Sequence, residues 1–425
     1  MELYIVLAIM AFMIIGFVLN KWPFGLTAMT CCVLLVVTGV YTVPEAFSGL
    51  SNQNTVLIAG MFVLSAAFGK TSLLGRIQDK MVALKGKNGL VLLVAIYAVI
   101  ILFACFLPTT AEMTMMLMFL VALGSSGDIT PSRMTIPILA MISIWGQKIP
   151  LGMGATIYAS TNVFYEGMVT DGNQLLGVMD MFKMSVVPCA ILTLYCLFAY
   201  KLMPNDAFDS SKLKAQKKEK AELSGFHEKV IYTVFALVMI SLFFSARLGP
   251  LMYAVPALGV LVLAYTKAMS VKEIVGALTQ DAIWMAAGVL VMANALGASG
   301  AGEVIGNMIL KILGGNPSGI FVLFVFAIVT IIMTTFMSNA ATKNVLVPIA
   351  ASTCLAAGWD PRGAVLIVVF CSNVAIAFPS GSPACGIAYA AGGYKIPQTL
   401  KFTAPFIIIA VISVVISANL FFPVI

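Results

Sequence analysis

The chain has 425 residues, of which 61% are hydrophobic and 10% are charged, and its mean hydropathy is +1.05. Soluble globular domains carry about 25% charged residues, so this composition excludes an ordinary soluble protein and predicts an all-α protein that crosses a membrane many times. The net charge of +7 does not indicate nucleic-acid binding, because the basic residues lie in loops between apolar segments.

Apolar segments long enough to cross a bilayer, which requires about 17–25 residues, follow one another along the chain. In chain order they lie near 3–19, 25–43, 54–69, 89–107, 182–200, 230–246, 250–266, 282–297, 317–337 and 402–422. Shorter apolar segments lie at 109–123, 133–145 and 364–378. We expect the first segment to be a retained helix, because no basic residue precedes it as one would in a signal peptide.

Cysteine and histidine indicate neither a metal site nor a catalytic centre. The eight cysteines lie inside apolar runs without the spacing of metal ligands, and we expect them to be small buried residues. The one histidine, His227, lies in a charged segment. We therefore expect no cofactor and no enzymatic activity.

A charged segment divides the chain into two similar units. Residues 201–229 hold seven lysines and five acidic residues and are predicted to form a solvated linker between residues 1–200 and residues 230–425. Ala67-Phe68-Gly69 aligns with Ala295-Leu296-Gly297 at an offset of 228 residues. Each unit has three spans, an amphipathic segment (70–87 or 299–315), a hairpin with a polar tip, an interrupted span and a final span. Because an odd number of crossings inverts the second unit, we predict two inverted five-helix repeats, each with a re-entrant helical hairpin and a broken helix.

The basic residues predict which loops face the cytoplasm. If each unit crosses five times, 18 lysines and arginines fall on the side of the linker and four fall on the other side. The four are Lys183, Arg247, Lys311 and Arg362. We therefore predict a multi-pass protein of the inner (plasma) membrane with a cytoplasmic linker and with both termini outside.

Each unit has two polar interruptions inside apolar sequence. We call Pro108-Thr109-Thr110 the first tip and Ser338-Asn339-Ala340 the second tip, and we call residues 146–152 and 379–386 the first and second breaks. A helix N-terminus at a tip attracts anions, and loosened carbonyls near a break can hold a cation. Each feature alone also fits a kink with internally bonded hydroxyls, but its repetition favours one binding site formed by both tips and both breaks.

These residues resemble a known family. Ser338-Asn339, opening a helix that runs to Pro348-Ile349, is similar to the Ser-Asn-Thr hairpin signature of the divalent anion/sodium symporters, the citrate and dicarboxylate carriers. Ser382-Pro383 before Gly386-Ile387 resembles the Thr-Pro-Pro-Asn break of that family. The resemblance covers nearly the whole chain in order and spacing but is specific only in the second unit. It implies one di- or tricarboxylate between the tips, sodium at the tips and breaks, a homodimer and an elevator movement of the hairpin-bearing domain.

The tips and breaks, together with this resemblance, give the candidate site residues. The predicted substrate ligands are Thr109, Thr110, Ser338, Asn339, Ser382 and Pro383. The predicted ion-binding or charge-compensating residues are Pro108, Glu112, Gly146, Lys148, Thr335, Ser338, Asn339, Thr342, Lys343 and Ser380. The chain departs from the family pattern where Ala340 replaces the threonine of the second signature and where only Thr110 matches in the first tip.

The first break has two candidate positions. Residues 146–152 begin 38 residues past the first tip, which is close to the 41 residues that separate Pro379 from the second tip. Ser160-Thr161-Asn162 is somewhat similar to a shortened family break. The spacing favours residues 146–152.

Two lysines lie within predicted membrane segments, where a charge costs about 2.5–3.5 kcal/mol. Our hypothesis is that Lys148 supplies the positive charge that sodium supplies in relatives, which makes the protein an exchanger or proton-coupled. Glu112, one turn past the first tip, would pair with a lysine or carry a proton. In the alternative, Lys148 extends to the interface, Glu112 faces a hydrated cleft and sodium is the coupling ion.

The sequence thus predicts a secondary active transporter of di- or tricarboxylates. Sulfate or another small oxyanion is the alternative substrate, because hydroxyls and helix ends do not specify the anion. An ion channel is the alternative class, and it would need a continuous polar pore instead of two closed hairpins. An intramembrane enzyme is not expected, since no histidine or aspartate accompanies Ser338. The expected partners are a small anion, the lipid bilayer and a second copy of the chain.

Overall fold

The computed structural model describes residues 2–19, 21–73, 76, 89–123, 129–205 and 223–424. Within these ranges the protein is built from helices joined by turns, as the composition predicts. Most of the predicted amphipathic segment 70–87 and residues 206–222 of the predicted linker lie outside the described residues.

The helices of the two units follow the same order. The first unit contains α1 Glu2–Leu19, α2 Phe24–Val37, α3 Gln53–Phe68, α4 Gly89–Phe103, α5 Thr109–Leu123, α6 Pro131–Trp145, α7 Ile157–Asn162 and α8 Asp180–Ala199. The second contains α9 Gly225–Phe243, α10 Leu251–Tyr265, α11 Asp281–Ala298, α12 Ala301–Ile312, α13 Gly319–Phe336, α14 Asn339–Ala356, α15 Arg362–Cys371, α16 Pro383–Gly392 and α17 Ile396–Phe421. The hairpins are α4–α5 and α13–α14, and each is followed by a helix that breaks.

Local sequence explains where these helices begin and end. The predicted span 25–43 ends as a helix at Val37, because Gly39 takes a left-handed φ of 73° and the Val40 amide turns back to the Leu35 carbonyl at 3.0 Å. The Thr130 hydroxyl caps α6 by accepting from the Arg133 amide at 3.3 Å, and Pro131 occupies the first turn.

Six helices are long and apolar enough to cross a membrane by length and composition. They are Glu2–Leu19, Asp180–Leu202, Gly225–Leu242, Val271–Ala298, Gly319–Phe336 and Ile396–Phe421. Further apolar helices of the described chain, among them α2, α3 and α10, have 10–17 residues. The protein is therefore a multi-pass membrane protein, while ten crossings and the inversion of the repeats remain predictions.

The helices pack in two groups. In the scaffold group, α2 packs on α11 and α3 packs on α10, so each unit contributes to both contacts. Close approach needs glycine there: a Cβ on Gly288 would lie 2.7 Å from the Ala28 backbone, and one on Gly60 would lie 2.8 Å from Pro256. In the hairpin group, α5 contacts α6 and α16, α13 and α14 contact α15, and α8 packs along α17. The groups meet where α3 contacts α7 and α1 contacts α14.

Ion pairs join residues that are predicted to share one side of the membrane. On the predicted cytoplasmic side, Lys70 pairs with Glu273 at 2.7 Å, and the Ser132 hydroxyl donates to the Pro204 carbonyl at 3.1 Å. On the predicted outer side, the Arg362 guanidinium pairs with Asp360 at 2.7 Å and approaches Asp180 at 3.9 Å. The contacts therefore agree with the predicted division into two sides, and which side is cytoplasmic rests on the count of basic residues.

Candidate functional site

The second tip is tied by hydrogen bonds to the second break. Ser338 caps α14, because its hydroxyl accepts from the Ala341 amide at 3.1 Å. The Asn339 amide nitrogen is placed to donate to the carbonyls of Ser372 at 3.0 Å and Gly381 at 2.9 Å. Its other end faces the Asn373 amide at 3.1 Å. The polar groups of this tip are thus used inside the protein.

Two further hydroxyls strengthen this link between tip and break. The Thr334 hydroxyl donates to the Ser372 carbonyl at 2.8 Å, and the Ser380 hydroxyl donates to the Thr335 carbonyl at 2.9 Å. Ser382 caps α16 by accepting from the Cys385 amide at 3.1 Å, and Pro383 fills the first turn of that helix. Thr335 itself donates back to the Ile331 carbonyl at 2.7 Å within α13.

The first tip contacts its break through the backbone. The Gln147 amide donates to the Ala104 carbonyl at 3.4 Å, and the Met153 amide donates to the Cys105 carbonyl at 3.0 Å. Thr109 lies against Gly146, where a Cβ would be 3.4 Å from its methyl group. The hydroxyls of Thr109 and Thr110 donate to no described residue, and exposed Pro108 precedes them. This tip is therefore less tied by side chains than the second.

The structure places the first break after Trp145. Helix α6 ends there, and the chain resumes helical structure only at Gly152, whose φ of 57° is left-handed. Ser160, Thr161 and Asn162 lie in the helical turn of α7. The interruption thus falls within residues 146–152, as the spacing of the two units predicts.

Two buried side chains one turn past the tips have no hydrogen-bond partner. Glu112 is fully buried, and neither carboxyl oxygen is bonded to a described residue. Thr342 occupies the matching place in the second hairpin and is also fully buried with an unpaired hydroxyl. An unpartnered carboxyl in such a place is stable only in its neutral form or with a cation beside it.

The two lysines differ in their surroundings. Lys148 is 2% exposed, donates to the Gly146 carbonyl at 3.2 Å and lies over the Phe370 ring at 5.5 Å from its centre. Lys343 lines a cavity and makes no hydrogen bond or ion pair with a described residue. The two ammonium groups are near enough to repel each other electrostatically. No described carboxylate pairs with either of them.

A central cavity of about 180 Å³ lies between the hairpin group and the scaffold group. The first break contributes Gln147 and Met153, and α7 contributes Ser160 and Thr161. The second hairpin contributes Ala340, Lys343 and Asn344, and the facing scaffold wall contains Ile58, Phe62 and Met285. The cavity therefore joins the first break of one unit to the second hairpin of the other.

A larger vestibule of about 520 Å³ adjoins this cavity. Phe62 and Met153 line both spaces. The vestibule is also lined by Pro108 of the first tip and by the ion pair of Lys70 with Glu273, so part of its wall lies on the predicted cytoplasmic side. Another cavity, of about 280 Å³ beside α11 and α12, shares no lining residue with the central cavity.

Only part of the predicted site surrounds the central cavity. Lys343 and Ala340 of the second tip line it. Asn339 and Ser380 instead bond the second hairpin to the second break, and Ser338, Ser382 and Pro383 begin their own helices. Gln147, Ser160, Thr161 and Asn344 line the cavity although the sequence did not single them out as ligands. For these residues, the sequence contained one indication of a role at the site: the similarity of Ser160-Thr161-Asn162 to a shortened family break.

Comparisons with known proteins agree with this architecture. A family model described as citrate transporter matches residues 9–368 and residues 249–425. An uncharacterized transporter of Haemophilus influenzae is 22% identical over 418 residues, which are 93% of this chain and 87% of the relative. A chloroplastic protein of Arabidopsis thaliana named dicarboxylate transporter 1 is 25% identical over 396 residues, covering 87% of this chain and 68% of that protein.

Solved structures of two transporters share the fold. The YdaH transporter of Alcanivorax borkumensis superimposes with a TM-score of 0.57 at 13% identity and covers 86% of this chain and 84% of its own. MtrF of Neisseria gonorrhoeae, described as an antimetabolite efflux pump, superimposes with a TM-score of 0.56 at 16% identity and covers 90% of this chain and 84% of its own. At these identities the likeness shows the fold alone.

Proposed function

The chain belongs to the citrate transporter family, which confirms the resemblance to citrate and dicarboxylate carriers, and from this premise we propose that it is a secondary active transporter of small di- or tricarboxylates. The family and the relatives are transporters, in agreement with the expectation that the protein is not an enzyme. We further propose the plasma membrane as its location and a homodimer as its assembly.

The central cavity is the observation that carries this proposal. Its volume of about 180 Å³ is below the 300–1,000 Å³ of pockets for drug-sized ligands and suits a metabolite-sized molecule. Lys343 lines it and has no carboxylate partner among the described residues, and buried Lys148, which has none in the described ranges either, lies close by. A buried cation needs a counter-charge, so the ligand that completes this site is an anion.

Alternating access follows from the two groups of helices. The central cavity adjoins the vestibule on the predicted cytoplasmic side and shares no residue with the cavity beside α11 and α12. We therefore assign this conformation to an inward-facing state. The cavity lies between the hairpin group and the scaffold group, so a movement of the hairpin group along the scaffold would carry the bound anion across the membrane, as in an elevator.

The charges near the first break support coupling without sodium. Lys148 is held by the Gly146 carbonyl and the Phe370 ring, and in its protonated form it would supply a positive charge beside the break. Unpartnered Glu112 is proposed to carry a proton, since a buried carboxyl without a partner is stable when neutral. Uptake into proteoliposomes in sodium-free buffer should continue at the rate seen with sodium. A collapse of uptake without sodium would instead assign the coupling to that ion.

Ligand binding to the purified protein tests the substrate class. A ligand that binds the folded state raises the unfolding temperature, and at 100 times its Kd it stabilises by about 2.7 kcal/mol. Citrate, succinate, malate and fumarate should raise the unfolding temperature, while sulfate should leave it unchanged. Stabilisation by sulfate and not by the carboxylates would contradict the proposed substrate class.

A further inference from the structure

Gln147 has an unusual backbone conformation for its residue type. Its φ of 60° lies in the left-handed region, which residues other than glycine seldom adopt. The first hairpin holds it there, since the Gln147 amide donates to the Ala104 carbonyl at 3.4 Å. Such conformations are energetically unfavourable and cluster at functional sites, where the surrounding structure maintains them.

The residue with this backbone conformation lies at the wall of the central cavity. Gln147 lines the cavity, and its side-chain amide makes no hydrogen bond to a described residue. Lys343, which lines the same cavity, has a similarly free ammonium group. The other polar residues of the wall each make an internal bond. The hydroxyls of Ser160 and Thr161 both donate to the Ile157 carbonyl, at 3.1 and 2.7 Å. The Thr156 hydroxyl donates to the Met153 carbonyl at 2.8 Å, and the Asn344 amide donates to the Met285 sulfur at 2.9 Å.

The predicted ligands of the second tip are engaged as well. The Asn339 amide donates to the Ser372 and Gly381 carbonyls, and the Ser382 hydroxyl donates to the Cys385 sulfur at 3.1 Å. The Ser338 hydroxyl accepts from the Ala341 amide, and Ser338 does not line the central cavity. A side chain that already donates inside the protein gains little by binding an anion, because it must first give up that bond. Free donors in the central cavity are therefore better placed than these residues to hold a substrate.

We propose that Lys343 and Gln147 are the direct, specificity-determining ligands of the transported anion, Lys343 binding one acidic group and the Gln147 amide donating to another. This proposal rests on the proposed transport of carboxylates and names the residues that recognise them. The second tip and second break then act as a frame that positions α14, on which Lys343 lies. A ligand with acidic groups at two ends fits this pair of donors better than one with a single carboxylate.

The test measures the affinity of purified full-length variants for succinate and for the monoanion propionate. Gln147→Glu keeps the size of the side chain and replaces a donor with a negative charge, and we expect succinate affinity to fall about 10- to 100-fold, as for loss of a hydrogen bond to a charged group. Gln280→Glu is the matched control, because Gln280 lines the vestibule and not the central cavity. The same change there should alter affinity by less than about twofold.

Variants of Lys343 separate recognition from folding. Lys343→Met should lower succinate affinity about 10- to 100-fold and reduce the preference for succinate over propionate, while Lys343→Arg should restore most of both. In Gln147→Asn, the new asparagine tolerates a left-handed φ, but its amide lies on a shorter side chain. Succinate affinity should therefore fall without loss of stability. The unfolding temperature of each ligand-free variant identifies those that do not fold.

The outcomes distinguish the proposed ligands, Lys343 and Gln147, from the proposed transport of carboxylates. Equal affinities of Gln147→Glu and Gln280→Glu, or an unchanged preference in Lys343→Met, would overturn the assignment of these ligands while transport of carboxylates stands. Binding of sulfate alone by the unaltered protein, weakened by Gln147→Glu and Lys343→Met, would support the site and contradict the carboxylate substrate. Absence of binding by every anion would contradict both.

Discussion

The two hairpin tips share one architecture and differ in chemistry. The second hairpin uses polar groups internally: Thr334 and Asn339 donate to the Ser372 carbonyl, Asn339 also donates to the Gly381 carbonyl, and Ser380 of the second break donates to the Thr335 carbonyl. At the first tip, the hydroxyls of Thr109 and Thr110 donate to none of the described residues, and the carboxyl of Glu112, one turn later, has no described partner either. The two units thus share the order of their helices but not the chemistry of their tips. We propose that they have separate tasks: the second tip forms a fixed frame, and Glu112 beside the first tip carries a proton.

The largest effect is expected from breaking the frame. Asn339→Ala removes the amide that joins the second tip to the Ser372 and Gly381 carbonyls, and those carbonyls then lose their donor. We expect transport to fall at least about 100-fold and the free energy of unfolding to fall by about 1–3 kcal/mol, which leaves the protein folded. Counterflow in proteoliposomes and thermal unfolding measure the two effects. Normal transport by this variant would refute the role of the second tip.

The next effect concerns the charge beside the first break. Lys148→Met keeps an apolar chain of similar length and removes a buried ammonium that has no described carboxylate partner. Exchange of dicarboxylates should fall about tenfold, whereas the free energy of unfolding should rise by about 1–4 kcal/mol because an unpaired buried charge is gone. Lys311→Met, at an exposed position of α12, is the control and should change neither value. Unchanged exchange with reduced stability would contradict a role of Lys148 in charge compensation.

The third prediction concerns proton coupling, which we assign to Glu112 beside the first tip and not to the second tip. Glu112→Gln mimics the neutral carboxyl but cannot release a proton, so accumulation driven by a pH gradient should fall about tenfold. Counterflow at equal pH on both sides should stay within about twofold of the unaltered protein. Accumulation that still follows the pH gradient in this variant would remove Glu112 from the coupling mechanism.

The smallest effect is expected at the matching place in the second hairpin. Thr342→Val replaces a fully buried, unpaired hydroxyl with a methyl group of similar size, so the free energy of unfolding should rise by about 1 kcal/mol and transport should stay within about twofold. Thr335→Val is a useful contrast, because the Thr335 hydroxyl is bonded to the Ile331 carbonyl and its loss should not stabilise. A strong loss of transport in Thr342→Val would make the second hairpin an ion site and not a frame.

The helical order was accessible from sequence because it depends on local patterns. Ser338 caps the helix that follows it, and the glycine and proline of residues 146–152 interrupt the helical sequence in which they lie. Because such effects act on neighbouring residues, the helices, the tips and the first break could be located from the sequence, guided by the repeat offset between Gly69 and Gly297. The shortened helices, such as α2, could have been predicted only from the left-handed turn at Gly39.

The ligands around the cavity were less accessible, because they depend on tertiary contacts. The sequence does not show that Asn339 bonds to the Gly381 carbonyl of the second break or that Ser380 bonds to the Thr335 carbonyl. It also does not show that Gln147 takes a left-handed φ. Nor does it show that α7 of one unit and α14 of the other face the same space. Hydroxyls near a tip were therefore predicted as substrate ligands, while the free donors of the central cavity were missed, apart from Lys343.

A counterflow experiment tests whether the protein is a carrier that binds dicarboxylates in the central cavity. Proteoliposomes loaded with unlabelled succinate and diluted into trace labelled succinate should accumulate label transiently, with a rate that saturates, and Gln147→Glu should reduce that accumulation far more than Gln280→Glu. Flux that rises linearly with succinate concentration and shows no dependence on internal succinate would contradict a carrier that holds its anion in the central cavity.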